Sequence, residues 1–352
     1  MNTKLLEETA KQMVAGGKGL LAADESNNTC QKRFDAVGVE CTEESRRQYR
    51  QILLTAPDAA NILSGVIFYD ETFWQKNDLA VNFRDFLKQQ GILPGIKVDE
   101  GLVDLPGFAG EKLTKGLDGL PERMVKYAQA GARFAKWRAV ITISDDDASD
   151  KTPTDADIDA NAFVLARYAR ICQDNDIVPM VEPEVLFDGK HSIERCQEVM
   201  ARTLDLLFDL LRHYKVHLPG VILKTSMVLP GKDSGATIDH QDVANRTGQV
   251  LRQHVPADLG GVVFLSGGQT PSDAFMNLNA IKKDQQYPWG LTFSFSRALQ
   301  DPVLKAWAKN TADVRGPQQL FINQLQFAQQ ATNGELSQDQ QFDDFVSGSQ
   351  DL

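Results

Sequence analysis

Eight short, β-rich apolar runs, separated by longer stretches of different character, constrain this chain more than any other feature. They are Gly19–Asp24, Gly65–Asp70, Gly95–Asp99, Phe134–Val140, Val178–Glu184, Gly220–Val228, Gly261–Gly268 and Gly290–Ser296. Between them lie segments with helical periodicity. Thr42–Leu54 opens on Thr-Glu-Glu-Ser, with Thr42 and Ser45 as capping residues, and Asp155–Cys172, Ser192–His213, Asp239–Arg252, Ser272–Lys282 and Gln318–Gln330 come after it. Strands that alternate with helices pair in parallel, and eight of them close into a barrel more naturally than they spread into an open sheet. No G-x-G-x-x-G or Walker-type glycine loop favours a doubly wound sheet. The expected fold is an α/β (β/α)8 barrel: one catalytic domain over residues 1–332, with a polar tail over 333–352 that is expected to be mobile.

A chain of 352 residues has room for such a domain and needs no staples. Its four cysteines are scattered, without C-x-x-C spacing, which argues against a disulfide framework or cysteine zinc site and for a reducing compartment. The first residues carry Lys4, Glu7, Glu8 and Lys11 and lack a signal-peptide core, and no run approaches the ~18 apolar residues of a membrane span. The expected location is the cytoplasm. A net charge of −11 disfavours nucleic acid and anionic membrane as partners. Anionic small molecules would bind only where basic residues gather. Two segments stand apart: the glycine-rich Gly101–Glu122 reads as a long excursion, and Ser144–Asp159, with seven aspartates, reads as a solvated loop ending in a Thr154 helix cap. It lacks the spacing and closing Glu of a calcium loop.

Buried barrel strands should be nearly continuous Val, Ile and Leu. Here ionisable residues interrupt them near their C-terminal ends: Asp24, Lys97, Lys136 with Arg138, Glu182 with Glu184, and Lys224; Ser266, Ser294 and Arg297 close the last two runs. Barrel enzymes collect their catalytic groups at that end. Residues two apart on a strand share a face, so each charged pair points one way and Trp137 and Pro183 point toward the helices. A single strand-end carboxylate is more often a cap or salt-bridge partner than a catalyst. Five strands doing the same thing at the same end is a stronger signal than any one of them. Lys224 lies in the apolar Gly-Val-Ile-Leu-Lys-Thr-Ser-Met-Val run. Desolvation there and a neighbouring cation at Lys136 both favour a neutral, nucleophilic amine.

The turns Leu265-Ser266-Gly267-Gly268-Gln269 and Ser294-Phe295-Ser296-Arg297 end runs seven and eight, where barrels often bind phosphate through backbone N–H groups and a helix N-terminus. Ser26, Lys32 and Arg33, just after Asp24, offer a second anion site. The five histidines (His191, His213, His217, His240, His254) do not pair with other ligands at predicted strand ends, which disfavours a zinc-dependent mechanism. No metal or cofactor is expected.

With these residues in place, the sequence resembles the class I fructose-bisphosphate aldolases. The resemblance runs from Gly17-Lys-Gly-Leu-Leu-Ala-Ala-Asp-Glu-Ser26 to Leu299, through Gly95-Ile-Lys-Val-Asp99, Gly116-Leu-Asp-Gly-Leu120, Phe134-Ala-Lys-Trp-Arg138, Val178-Pro-Met-Val-Glu-Pro-Glu184, Leu223-Lys224, Leu265–Gln269 and Leu291–Leu299. It implies a metal-free enzyme of glycolysis and gluconeogenesis that cleaves fructose 1,6-bisphosphate through a Schiff base on Lys224. Glu182 would shuttle protons, Asp24 would take the C4 hydroxyl proton, and Lys136 and Glu184 would support them. Ser266, Gly267, Gly268, Ser294 and Arg297 would hold the 1-phosphate, and Ser26, Lys32, Arg33, Lys97 and Arg138 would serve the 6-phosphate. It also implies a homo-oligomer, a tetramer in relatives.

The sequence departs from the family pattern at Thr225-Ser226 after the lysine, at Pro219-Gly220, and at Ser296, where a glycine is usual. It also lacks the C-terminal tyrosine of eukaryotic members, its last tyrosine being Tyr287. A Schiff-base aldolase acting on another phosphosugar, such as sedoheptulose 1,7-bisphosphate, is the alternative within enzymes. A non-catalytic barrel scaffold is the alternative outside them, against which the intact Lys224, Glu182 and Asp24 speak.

Overall fold

A computed structural model describes residues 1–145, 151–283, 286–337 and 342. Eight strands form a closed barrel: β1 (Gly19–Ala23), β2 (Leu63–Phe68), β3 (Leu93–Lys97), β6 (Phe134–Ile141), β7 (Val178–Val185), β8 (Ile222–Thr225), β9 (Gly261–Phe264) and β10 (Leu291–Phe295). All neighbours pair in parallel, and β1 joins β10 to close the ring. The remaining two, β4 (Leu102–Asp104) and β5 (Lys112–Thr114), form a separate antiparallel hairpin.

The period of two along each strand separates two apolar layers. Leu20 of β1, Phe134 of β6, Val178 and Met180 of β7 and Ile222 of β8 face the barrel axis. The helix Thr3–Met13 closes the N-terminal end of that interior with Leu6, Ala10 and Met13. Phe134 fills the middle of the barrel: a Cβ on Gly95 would lie 2.2 Å from its ring, so only glycine fits opposite. Side chains of the other phase enter the shell between strands and helices. Trp137 is fully buried there against Tyr168, their ring centroids 5.4 Å apart, a burial that stabilises by roughly 3 kcal/mol. With apolar side chains filling the bottom and middle of the axis, the ionisable residues occupy the C-terminal layer.

The expected helices are present within a few residues. Thr42 and Ser45 form a reciprocal capping box on Glu43–Leu54, and Thr154 caps Asp155–Asp174 through the Asp157 N–H. Strand β8 is shorter than the Gly220–Val228 run at both ends: Leu218–Gly220 is a 3-10 turn packed on Leu6, and the strand stops at Thr225. The Gly101–Glu122 excursion contains the β4–β5 hairpin and the start of the helix Leu120–Gln129. The helices Thr3–Met13, Asn27–Asp35, Phe83–Gln89 and Arg297–Lys309 were not foreseen. The polar middle of the aspartate-rich loop, 146–150, lies outside the described residues.

The final helix, Arg315–Asn333, stops at Gly334, which takes φ +74°. Beyond it Leu336 is buried and exchanges hydrogen bonds with Asn279, and the Phe342 ring packs on Phe275 and Phe327. The expected mobility concerns residues that otherwise lie outside the described set. Among the described residues no helix is long and apolar enough to cross a membrane.

Candidate active site

The C-terminal ends of the strands surround a cavity of 870 Å³, lined by every candidate site residue except Gly268. Eight Lys or Arg side chains and seven Asp or Glu side chains line it, so the acidic chain does gather its cations here. An anion can therefore be held despite the net charge of −11.

At the closed end four strands meet. Lys136 Nζ of β6 lies 2.7 Å from Asp24 Oδ2, just beyond β1, and 3.1 Å from Glu182 Oε2 of β7. The other oxygen of Glu182 lies 3.0 Å from Lys224 Nζ of β8. All four side chains are buried. Burial alone would push the Asp24 carboxyl up, but Lys136, Lys224 and Lys97 overcome it and hold the group at about 2. Burial likewise opposes the ionised Glu182, and Lys136, Lys224 and Arg138 together keep it below the usual carboxylate range. Lys136 loses hydration too, yet Asp24 and Glu182 raise its pKa, so it stays an ammonium at neutral pH. The cation expected to act on Lys224 by repulsion is thus clamped between two carboxylates.

The flanks differ. On one side Ser266, Gly267, Ser294 and Arg297 line the cavity. Gly267 and Gly268 take φ +59° and +94°, a turn only glycine makes without strain. A Cβ on Gly268 would lie 3.3 Å from Arg297 Nη2, so this residue sits behind the arginine rather than on the cavity wall. Ser294 Oγ is buried without a hydrogen-bond partner among the described residues. A helix begins at Arg297, its N-terminal turn at the cavity. These are the elements of an anion site: an orphan hydroxyl, a helix N-terminus and a guanidinium.

On the other side stand Ser26, Lys32, Arg33, Lys97 and Arg138. Ser26 caps the helix Asn27–Asp35 by accepting from the Thr29 N–H, and Lys32 and Arg33 of that helix line the mouth. Most of these cations already hold carboxylates. Lys97 donates to Asp99 Oδ1 at 2.6 Å, Arg138 to Glu184, and Arg33 to Glu25 and Asp301. A phosphate arriving here exchanges with carboxylates rather than meeting bare charge.

Glu25 was missed in the sequence. Its carboxylate accepts from Arg33, Ser296 Oγ (2.8 Å) and Gln300 Nε2 (2.9 Å), and pairs with buried Arg50 at 2.6 Å. Burial raises its pKa less than Arg50 and Arg33 lower it, so it is ionised. Its position beside Asp24 was the only available signal. Asp99, Tyr69, Asp70, Arg123 and Tyr127 also line the cavity without having been singled out. His217 pairs with Glu7, His254 with Asp205 and His240 with Asn277, all away from the mouth.

Fold and site together define a barrel enzyme with a buried amine set among carboxylates between two cationic flanks. The family model described as "Fructose-bisphosphate aldolase class-I" matches residues 5–349. The "Probable fructose-bisphosphate aldolase class 1" of Xanthomonas campestris pv. campestris is 49% identical over 88% of this chain and 91% of its own. The "Fructose-bisphosphate aldolase 4, cytosolic" of Arabidopsis thaliana is 46% identical over 95% of this chain and 84% of its own. A solved structure of fructose-bisphosphate aldolase from Plasmodium falciparum, in complex with TRAP and a small molecule inhibitor, superposes with a TM-score of 0.92 at 46% identity, over 95% of each chain. The chain belongs to the class I fructose-bisphosphate aldolase family.

Proposed function

We propose that this chain reversibly cleaves fructose 1,6-bisphosphate to dihydroxyacetone phosphate and glyceraldehyde 3-phosphate, with Lys224 as the nucleophile. The observation that carries the assignment of roles is the unbroken chain Lys224–Glu182–Lys136–Asp24 at the closed end of a cavity with two cationic flanks. Lys224 Nζ attacks the C2 carbonyl of the open-chain ketose. Glu182, in hydrogen-bond reach of that nitrogen, first takes the proton that the Lys224 ammonium gives up to become nucleophilic and then returns it to the carbinolamine oxygen, which leaves as water. The iminium then accepts the C3–C4 bond pair and becomes an enamine, while the C4 hydroxyl proton passes to the Asp24 carboxylate and the aldehyde departs. Protonation at C3 and hydrolysis return Lys224. The iminium is the electron sink, so the chemistry as written needs no metal.

Lys136 acts as a fixed cation that keeps Asp24 and Glu182 ionised and apart. Glu184 positions Arg138. Ser266, Gly267, Ser294 and Arg297 receive the 1-phosphate, with Gly268 backing the arginine; Ser26, Lys32, Arg33, Lys97 and Arg138 serve the 6-phosphate. The barrel domain ends near residue 332 and the remainder is an appendage to it. We place the enzyme in the cytoplasm, as its cytosolic relative supports, and as a homo-oligomer, which light scattering would read.

Borohydride reduction with dihydroxyacetone phosphate, followed by peptide mass mapping, tests the nucleophile. The triose should be found on Lys224, and EDTA should leave the rate unchanged. Modification of another lysine, or activity lost to chelator and restored by zinc, would overturn the mechanism.

A further inference from the structure

Arg33 is held at both ends of its guanidinium fork. Nη1 donates to Glu25, and Nη2 donates to Asp301 Oδ1 at 2.8 Å. A guanidinium captures phosphate best with two parallel N–H donors, so a phosphate that reaches Arg33 in that way must displace one of these carboxylates.

The two carboxylates are not equally able to leave. The Glu25 side chain is only 8% exposed and is also held by Arg50, Ser296 and Gln300. Moving it would strand Arg50, which is 2% exposed, without its counter-charge. The Asp301 side chain is 43% exposed and its ion pair is with Arg33. It lies one helical turn after Arg297, on the helix that begins at the other phosphate flank. Asp301 can rotate into water at little cost. It is the exchangeable partner.

We infer that Asp301 is a specificity-determining residue that competes with the distal phosphate of the substrate for Arg33. This rests on the assignment of Arg33 to the 6-phosphate side. Asp301 occupies, in the substrate-free enzyme, the donor that the distal phosphate needs. The competition weakens binding of a ketose bisphosphate and leaves a ketose 1-phosphate, which has no group at that end, untouched. Ser296 adds to the same device from the other phosphate flank, since its hydroxyl helps fix Glu25 and so leaves Asp301 as the arm that yields.

The test is a double-mutant cycle read as KM and kcat on fructose 1,6-bisphosphate and fructose 1-phosphate. Asp301→Asn, which keeps the side chain's size, should lower KM for the bisphosphate about two- to fivefold, the range of a partly exposed ion pair. Its kcat, and KM for fructose 1-phosphate, should stay put. Asp301→Glu should restore the higher KM, which a general change in stability would not do. In an Arg33→Ala background, Asp301→Asn should do nothing. A raised or unchanged bisphosphate KM in Asp301→Asn overturns the competition. So does an equal fall for both substrates, or the same fall without Arg33. The underlying assignment is read separately: Arg33→Ala should raise KM for the bisphosphate alone. If it does so while Asp301→Asn is silent, only the competition fails; if Arg33→Ala affects neither substrate, the assignment of Arg33 fails and the competition with it.

Discussion

The Glu182 carboxylate reaches the Lys224 amine at 3.0 Å from the adjacent barrel strand, with both side chains buried. Its other oxygen faces Lys136, so the residue proposed as proton relay touches both the proposed nucleophile and the fixed cation. Glu182→Gln preserves the shape but removes the ability to carry a proton. We expect kcat to fall by about 10²–10⁴, with the rate of borohydride-trappable adduct formation falling alongside it. Adduct formation at the normal rate would place the relay on another group.

Lys136→Met removes the main force that lowers the Asp24 pKa. Burial, now opposed chiefly by Lys224 and Lys97, should move that carboxyl up from about 2. The acid limb of the kcat/KM profile should therefore shift to higher pH, and turnover should drop a hundredfold or more. An unshifted acid limb with near-normal turnover would mean that the cation is structural.

The barrel could be read in the sequence because its strands are apolar runs broken only near one end, and the layer that lines the cavity could be read from those interruptions. Lys136, Arg138, Glu182 and Glu184 stand out at spacing two within apolar strands, and that spacing places them in the cavity. What spacing does not carry is contact across the barrel. Lys136 was read as a repulsive neighbour of Lys224, whereas its ammonium rests on Asp24 and Glu182. Glu25 gathers Arg50, Ser296 and Gln300 from segments remote in sequence, and locally only its place beside Asp24 announces it. The hairpin escaped notice because its strands are three residues long and all of Leu102–Asp104 is exposed, which leaves no alternation to detect. The helix Asn27–Asp35 buries only Cys30 and Phe34, too few to set a period.

The two flanks should separate by substrate. Arg297→Ala should raise KM for both fructose 1,6-bisphosphate and fructose 1-phosphate, because both carry the 1-phosphate. Lys97→Ala should raise it for the bisphosphate alone. A charged hydrogen bond is worth about 1.5–3 kcal/mol, so changes of roughly 10- to 100-fold are expected. Equal losses on both substrates in both variants would show the flanks to be wrongly assigned.

Away from the mouth, Asp157 and Glu111 are buried near one another where the helix Asp155–Asp174 meets the hairpin. Glu111 accepts from Thr154 Oγ1 at 2.7 Å, while Asp157 Oδ2 has no hydrogen-bond partner among the described residues. Burial, with a smaller push from Glu111, raises the Asp157 carboxyl from 3.8 to about 7. The folded state thus holds this proton more tightly than the unfolded chain does. The resulting stability is complete below about pH 4 and is lost as pH rises through 7, a swing of at most about 4 kcal/mol. Asp157→Asn should stabilise the protein at pH 8, and its advantage should shrink toward pH 5. Denaturant titrations at both values check this; a pH-independent difference would show that Asp157 does not titrate in this range.

Protonation of the enamine at C3 needs a donor that can reach the carbon, and Tyr287 is the last tyrosine in the sequence. The Phe342 ring packs on Phe275 and Phe327, with centroids 5.8 and 5.2 Å apart, and Phe275 in turn meets Phe295 at the end of β10. Truncation after Phe342 leaves these contacts and the Leu336 hydrogen bonds in place and removes residues 343–352 alone. The removed segment carries aspartates and Phe345 but no tyrosine, histidine or lysine. Aspartates at ordinary pKa are ionised at neutral pH and are poor proton donors. Protonation should then fall to a barrel group or to water held in the cavity. Bisphosphate cleavage in the truncated enzyme should drop less than about tenfold, well short of the loss of a general acid. The decisive comparison is C3 proton exchange of dihydroxyacetone phosphate in full-length and truncated enzyme. If exchange collapses while carbon–carbon cleavage continues, the donor resides in the segment after Phe342.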